Sequence, residues 1–208
     1  MNPAPGLRAA GWVLLPAFLL HLWPQAASAL RFERDAIGAG EWWRLWSGHW
    51  VHFSAPHLFW DALVLGLAGT WLEHRRRGLL AWHLLATAPA VSLLLLGLEE
   101  DMRVYGGLSG LGVGAIVLLA LTELVSDREH RAWWIALLAL VAAKIGAEAA
   151  TASPWFALEP GIRLSAWAHP AGALSGLLVF AALRLARSVR RTRPAPGPPD
   201  SASEVTVF

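Results

Sequence analysis

The chain is 208 residues long and 56% hydrophobic, with thirteen tryptophans, no cysteine and a formal net charge of +2. That balance excludes an ordinary soluble globule and points to a single domain of several membrane spans. Without cysteine there is no disulfide framework, thiolate nucleophile or thiolate metal site, and arginines gathered at helix ends under so small a net charge leave no surface for nucleic acid.

A bilayer core takes about 20 mostly apolar residues per helix. Six runs come near that length: 11–29, 57–73, 79–97, 108–125, 131–150 and 166–187. The expected fold class is all-α, a six-helix membrane domain over residues 1–189. From residue 190 the sequence reads "RRTRPAPGPPDSAS", a proline-rich polar composition expected to be a disordered cytoplasmic tail through 208. The first run has a second reading. Arg8, the apolar stretch and "AASA" at 26–29 together resemble a cleavable signal peptide. Pro16 and His21 interrupt the stretch, and we read it as a retained first span.

Arginine placement orients the spans. With the N-terminus inside, eleven arginines fall on the cytoplasmic side, among them Arg8, Arg75, Arg76, Arg77, Arg184 and Arg187. Five fall outside: Arg31, Arg34, Arg44, Arg103 and Arg163. This satisfies the positive-inside rule. Ser109 then opens the fourth span at its outer end, and His169 lies near the outer end of the sixth.

Polar groups within spans are costly and mark functional sites or partners. In "GLSGLGVG" Ser109 is followed by Gly110 and Gly114, and in "AHPAGALSG" His169 is followed by Gly172 and Gly176. Both are small-xxx-small patterns, which let two helix backbones approach closely. A serine becomes a nucleophile when a base about 2.6–3.2 Å away takes its proton, and histidine can return that proton to a leaving amine. Read from the residues alone, the pair is equally an ordinary glycine-packed crossing with one hydrogen-bonded histidine.

In "GLSG", "AHPAGALSG" and "EWWRLWSGHWVHFSAPHLFWD" the chain resembles the rhomboid family of intramembrane serine proteases, over about residues 40–185. The resemblance implies Ser109 as nucleophile and His169 as general base, a dyad with no acidic third member. It implies His57 as an oxyanion donor, Gly107 and Gly110 as part of the oxyanion and substrate site, and Trp43–Arg44 as the first-loop motif. No cofactor is implied. Where the family usually has asparagine, this chain has Asp61. An ionised aspartate only accepts hydrogen bonds. Either desolvation keeps Asp61 protonated and donating, or it pairs elsewhere and the hole rests on His57 and the Ser109 backbone N–H; we favour the second.

The compact form and "KIGAE", with Lys144 and Glu148 one turn apart and able to neutralise each other, resemble the rhombosortase subgroup. That implies a bacterial inner-membrane protein whose partners are transmembrane or C-terminally anchored substrates ending in a glycine-rich motif, a hydrophobic helix and a basic tail. Rival readings are a catalytically inactive rhomboid-like protein that binds transmembrane helices, and a small transporter, for which matched broken helices are missing.

Other polar residues carry plainer expectations. His49 and His52 are three apart, but no carboxylate follows in that segment at ligand-like spacing. No metal is expected, and the rings are placed in an interfacial helix. Glu99, Glu100 and Asp101 are read as a solvated acidic turn, and Arg75 to Arg77 as anchors only.

Overall fold

The computed structural model describes residues 5–151 and 165–192. Of the tail expected from residue 190, residues 190–192 belong instead to the last helix, and the rest, like Arg163, lies outside the described residues. Helix α1 (Pro5–Leu22) leads into α2 (Pro24–Leu30), β1 (Phe32–Glu33), α3 (Arg34–Gly38), α4 (Arg44–Ser47) and a 3-10 turn at Gly48–Trp50. Then come α5 (Ala55–Arg75), α6 (Leu79–Leu98), β2 (Val104–Tyr105), α7 (Ser109–Ser126), α8 (Arg131–Thr151) and α9 (Ala168–Thr192).

The expected first span over 11–29 is not one helix. It starts earlier, at Pro5, and breaks at Trp23, so that α1 and α2 meet at 115°. Proline disfavours helical backbone in the residue before it. Trp23 accordingly leaves the helix (φ −128, ψ 79) and Pro24 starts the next one, where its missing N–H costs nothing.

Among the described residues, four helices are long and apolar enough to cross a membrane: α6, α7, α8 and Ala168–Val189 of α9. The bent α1–α2 pair is a fifth if it counts as one span. α5 has the same 21-residue length as α8, but Asp61, Glu73 and Arg75 interrupt its apolar run. Large side chains such as Trp12, Leu67, Trp82 and Trp133 stand exposed on these helices, as expected where the surroundings are hydrocarbon and headgroups rather than water.

α7 is the central helix, lined on its buried faces by Leu111, Ala115 and Leu118. It packs on α5, α6, α8 and α9. α8 is peripheral: Val141, which meets Val113 and Val117 of α7, and Glu148 are its buried residues.

Two polar clasps hold the ends of the bundle. At the end of α7 away from Ser109, the fully buried Glu123 takes a two-pronged pair from Arg75 and a further bond from Trp71 Nε1 at 3.1 Å. Arg75 therefore does more than anchor: it neutralises a carboxylate that has no water around it. At the serine end, Phe32 pairs with Tyr105 and Glu33 with Val104 in a short antiparallel ladder. The Arg34 guanidinium donates to the carbonyls of Leu95, Leu96, Glu99 and Met102 at 2.7–3.1 Å. It thereby gathers the carbonyls at the end of α6 and opposes that helix's negative pole.

Candidate active site

Ser109 is the first residue of α7 and is half-buried. The loop that delivers it needs glycine. Gly107 sits at φ +124, and a Cβ there would stand 2.7 Å from both Cε1 and Nε2 of His57. Only a bare backbone can lie on that imidazole.

The crossing of α7 and α9 brings Ser109 and His169 to the same level. A Cβ on Gly172 would lie 1.9 Å from the Gly110 carbonyl oxygen, and one on Gly176 2.3 Å from that of Gly114. A Cβ on Gly110 would meet the Ala168 oxygen at 2.8 Å, and one on Gly114 the Gly172 oxygen at 2.6 Å. The backbones touch at these points, and Ser109 and His169 each adjoin a touching residue. Among the described residues, no direct hydrogen bond joins the Ser109 hydroxyl to the His169 ring. Catalytic bonds are often long before substrate binds.

His169 is buried, and its Nδ1 lies 2.7 Å from Glu148 Oε2 on α8. The other carboxylate oxygen, Oε1, accepts from Lys144 Nζ at 2.6 Å, and that ammonium is 3.2 Å from Nδ1. An acidic group thus stands against the candidate base, contrary to the expected dyad without a third member. The Lys144–Glu148 spacing is visible in the sequence, but a partner on another helix leaves no trace in one helix's periodicity.

Tyr105 is also here. Its hydroxyl donates to the Gly107 carbonyl at 3.2 Å. Burial, and then the charge of Asp61, push this phenol's pKa well up, while the neighbouring Ser109 hydroxyl works the other way.

His57 is in the first turn of α5, where the Ser54 hydroxyl caps the helix by accepting the His57 N–H at 3.3 Å. One turn on, Asp61 Oδ2 lies 3.2 Å from His57 Nε2 and 3.2 Å from His52 Nε2. His57 Nδ1 is buried without a partner among the described residues. His52 Nδ1 faces the Trp50 carbonyl at 3.2 Å, and the Leu108 N–H approaches its Nε2 at 3.4 Å.

The ligand atoms of His52, His57 and Asp61 all fall within 4.8 Å of one another, close enough for a metal, and Asp61 is the carboxylate that the sequence reading did not connect with these histidines. Asp61 Oδ2 joins the two rings and so ties the start of α5 to the loop before it.

The interfacial placement of His49 and His52 is overturned. Both are buried, and they share no helix because the 3-10 turn ends at Trp50. His49 Nε2–H is shared between the Ala88 carbonyl at 2.9 Å and the Ser92 hydroxyl at 3.0 Å. Desolvation lowers its pKa to about 4.

The reading of Glu99 as merely solvated is corrected too: its Oε1 accepts from Ser165 Oγ at 2.7 Å and from the Trp167 N–H at 2.9 Å, tying α6 to the start of α9. Arg44, next to Trp43, is buried on Glu41 Oε2 and the Arg31 carbonyl, so that motif holds the loop rather than reaching the serine.

The family model of the Rhomboid domain matches residues 39–186, over two-thirds of the chain. No curated protein matches it.

Proposed function

This chain belongs to the rhomboid family, whose members are generally serine intramembrane proteases, and from that premise we propose that Ser109 and His169 make it an intramembrane serine endopeptidase. It is a multi-pass membrane protein. The observation that carries the proposal is the glycine crossing of α7 and α9, whose touching residues adjoin Ser109 at a helix start and the buried His169.

In this reaction His169 takes the Ser109 proton as Oγ attacks a substrate carbonyl. The imidazolium then gives that proton to the leaving amine, and water hydrolyses the acyl-enzyme by the same route reversed. The developing oxyanion is met by the Ser109 backbone N–H, with His57 against the Gly107 backbone of the same loop as the second group there. Gly107 lets the loop lie on His57, and Gly110 lets α7 touch α9 beside the serine. Asp61 acts as an acceptor that holds His52 and His57, because its Oδ2 is already engaged by both rings.

The finer reading is rhombosortase-like. It takes the bent α1–α2 pair and α5 as spans beside the four of α6 to α9, with both termini in the cytoplasm of a bacterial plasma membrane, and its substrates are proteins held by a C-terminal glycine-rich anchor and a hydrophobic helix. The "KIGAE" segment and the compact form support it.

The test is covalent labelling with a serine-directed fluorophosphonate in detergent. Wild type should label, while Ser109→Ala and His169→Ala should not, with both variants folded by thermal melting. Labelling that persists in Ser109→Ala overturns the nucleophile assignment. A second reading, an inactive relative that binds transmembrane helices, is favoured by the lack of a direct Ser109–His169 bond and by Asp61. It predicts a folded wild type that does not label at all.

A further inference from the structure

We propose that Glu148 is a positioning residue for His169, fixing the ring's tautomer from a neighbouring helix, with Lys144 as the counter-ion that keeps Glu148 ionised. The proposal rests on the reading of His169 as the general base.

Glu148 sits on α8, where nearly every residue except Val141 and itself is exposed or half-buried. Burying a carboxylate in such a helix is costly unless it is paired. Lys144, one turn away, would be enough to pair it. Yet only Oε1 faces Lys144, and Oε2 is turned to another helix, 2.7 Å from His169 Nδ1.

The protons on that contact follow from donor chemistry. An ionised carboxylate can only accept, so a 2.7 Å approach needs the proton on Nδ1. Lys144 Nζ, 3.2 Å from the same nitrogen, also has only protons to offer and cannot bond to an Nδ1 that already carries one. It acts on Glu148, not on the ring. A neutral His169 with its proton on Nδ1 has its lone pair on Nε2, the form a general base requires.

When the ring takes the Ser109 proton, the new N–H forms at Nε2 and the old one stays on Nδ1. No proton passes to Glu148. The carboxylate stabilises the imidazolium that forms, and Lys144 keeps the resting charge of the cluster balanced. The same logic operates where an aspartate holds a catalytic histidine, and there its replacement by the amide costs about 10⁴-fold in kcat through the wrong tautomer.

The experiment uses the full chain in detergent with ¹⁵N-labelled histidine, the His169 resonances being assigned by their loss in His169→Gln. Wild type should show a protonated Nδ1 and an unprotonated Nε2 at neutral pH. A protonated Nε2 in wild type overturns the proposal without reference to activity.

In parallel, kcat and KM are measured on a membrane-anchored peptide substrate. Glu148→Gln should lower kcat by about 10²–10⁴-fold with KM within about twofold, and shift the His169 resonances; Glu148→Asp should recover part of both. Unchanged kcat in Glu148→Gln overturns the proposal, as does a loss that falls on KM alone. If Glu148→Gln fails to fold, the wild-type tautomer and Glu148→Asp still decide. Activity surviving in Ser109→Ala would instead strike the peptidase reading and leave the tautomer result standing.

Discussion

Alanine at Gly172 puts the crossing of α7 and α9 to a quantitative test. Its Cβ would fall 1.9 Å from the Gly110 oxygen, 2.7 Å from the Gly110 carbonyl carbon and 3.1 Å from its Cα. All three are backbone atoms, so no rotamer change can relieve the overlap. Ordinary contact returns only when the helices part by about 1.5 Å. Ser109 adjoins Gly110, so that displacement moves the nucleophile relative to His169, and a misplacement of about 1 Å can cost about 10²-fold in rate. Overpacking should also cost about 1–3 kcal/mol of stability. Gly176→Ala meets the Gly114 oxygen at 2.3 Å, a smaller overlap and at a residue four positions further from Ser109 than Gly110, so its loss of rate should be less. Gly146 has nothing within 4 Å of its added Cβ and serves as the control, where alanine should be neutral or stabilising by up to about 1 kcal/mol. The assay is the second-order rate of fluorophosphonate labelling, which needs no knowledge of the natural substrate, paired with thermal melting. Wild-type labelling in Gly172→Ala, or a larger loss in Gly146→Ala than in Gly172→Ala, would refute the argument.

Three further outcomes can be checked. His49 is fully buried and its pKa is lowered to about 4 from 6.5, so between those values the unfolded chain binds the extra proton and stability rises with pH. The stability is whole above about pH 6.5 and declines by about 3 kcal/mol as pH falls to about 4; a melting series from pH 7.5 to 4.5 should be flatter in His49→Gln, and equal slopes would sink the assignment. Asp61→Leu removes the one oxygen, Oδ2, that lies 3.2 Å from both imidazoles and should lower stability by about 1.5–3 kcal/mol and activity at every pH; a variant as stable and as active as wild type would show that Asp61 is not the acceptor. Gly107→Ala places a methyl 2.7 Å from His57 at a φ that disfavours side chains and should abolish labelling with the bundle still folded, whereas labelling at the wild-type rate would mean that the loop has room to spare.

The four runs at 79–97, 108–125, 131–150 and 166–187 are legible because length and apolarity alone mark them, and α6 to α9 correspond to them closely. The glycine spacings on α7 and α9 also read directly, since close approach needs a missing side chain and little else. The first run misleads because apolarity continues through Trp23 while the backbone does not: Pro24 redirects the chain without changing its hydropathy. His49 and His52 look like amphipathic surface residues, yet their burial depends on acceptors that only the fold brings up, from α6 39 residues on for His49 and from α5 nine residues on for His52. Glu148 is the sharpest case. Its lysine partner is one turn away and readable, while the histidine it faces is 21 residues on, across a connection that no spacing rule spans.

Arg34 and the short ladder bear on the order in which the protein can be made. The carbonyls that Arg34 caps lie 61 to 68 residues later in the chain, and Phe32 awaits Tyr105 as its strand partner. Since synthesis runs from the N-terminus, this arginine emerges with none of its four acceptors yet in existence, and it stays unsatisfied while α5 and α6 are added. Closing so long a loop is entropically costly until both helices are in place. The ladder can snap shut only once the ribosome has passed Tyr105, and the residues synthesised next are Gly106, Gly107, Leu108 and Ser109. The residues of the serine's loop and of the ladder beneath it are therefore all translated before α9, and the nascent chain carries Ser109 before His169 exists.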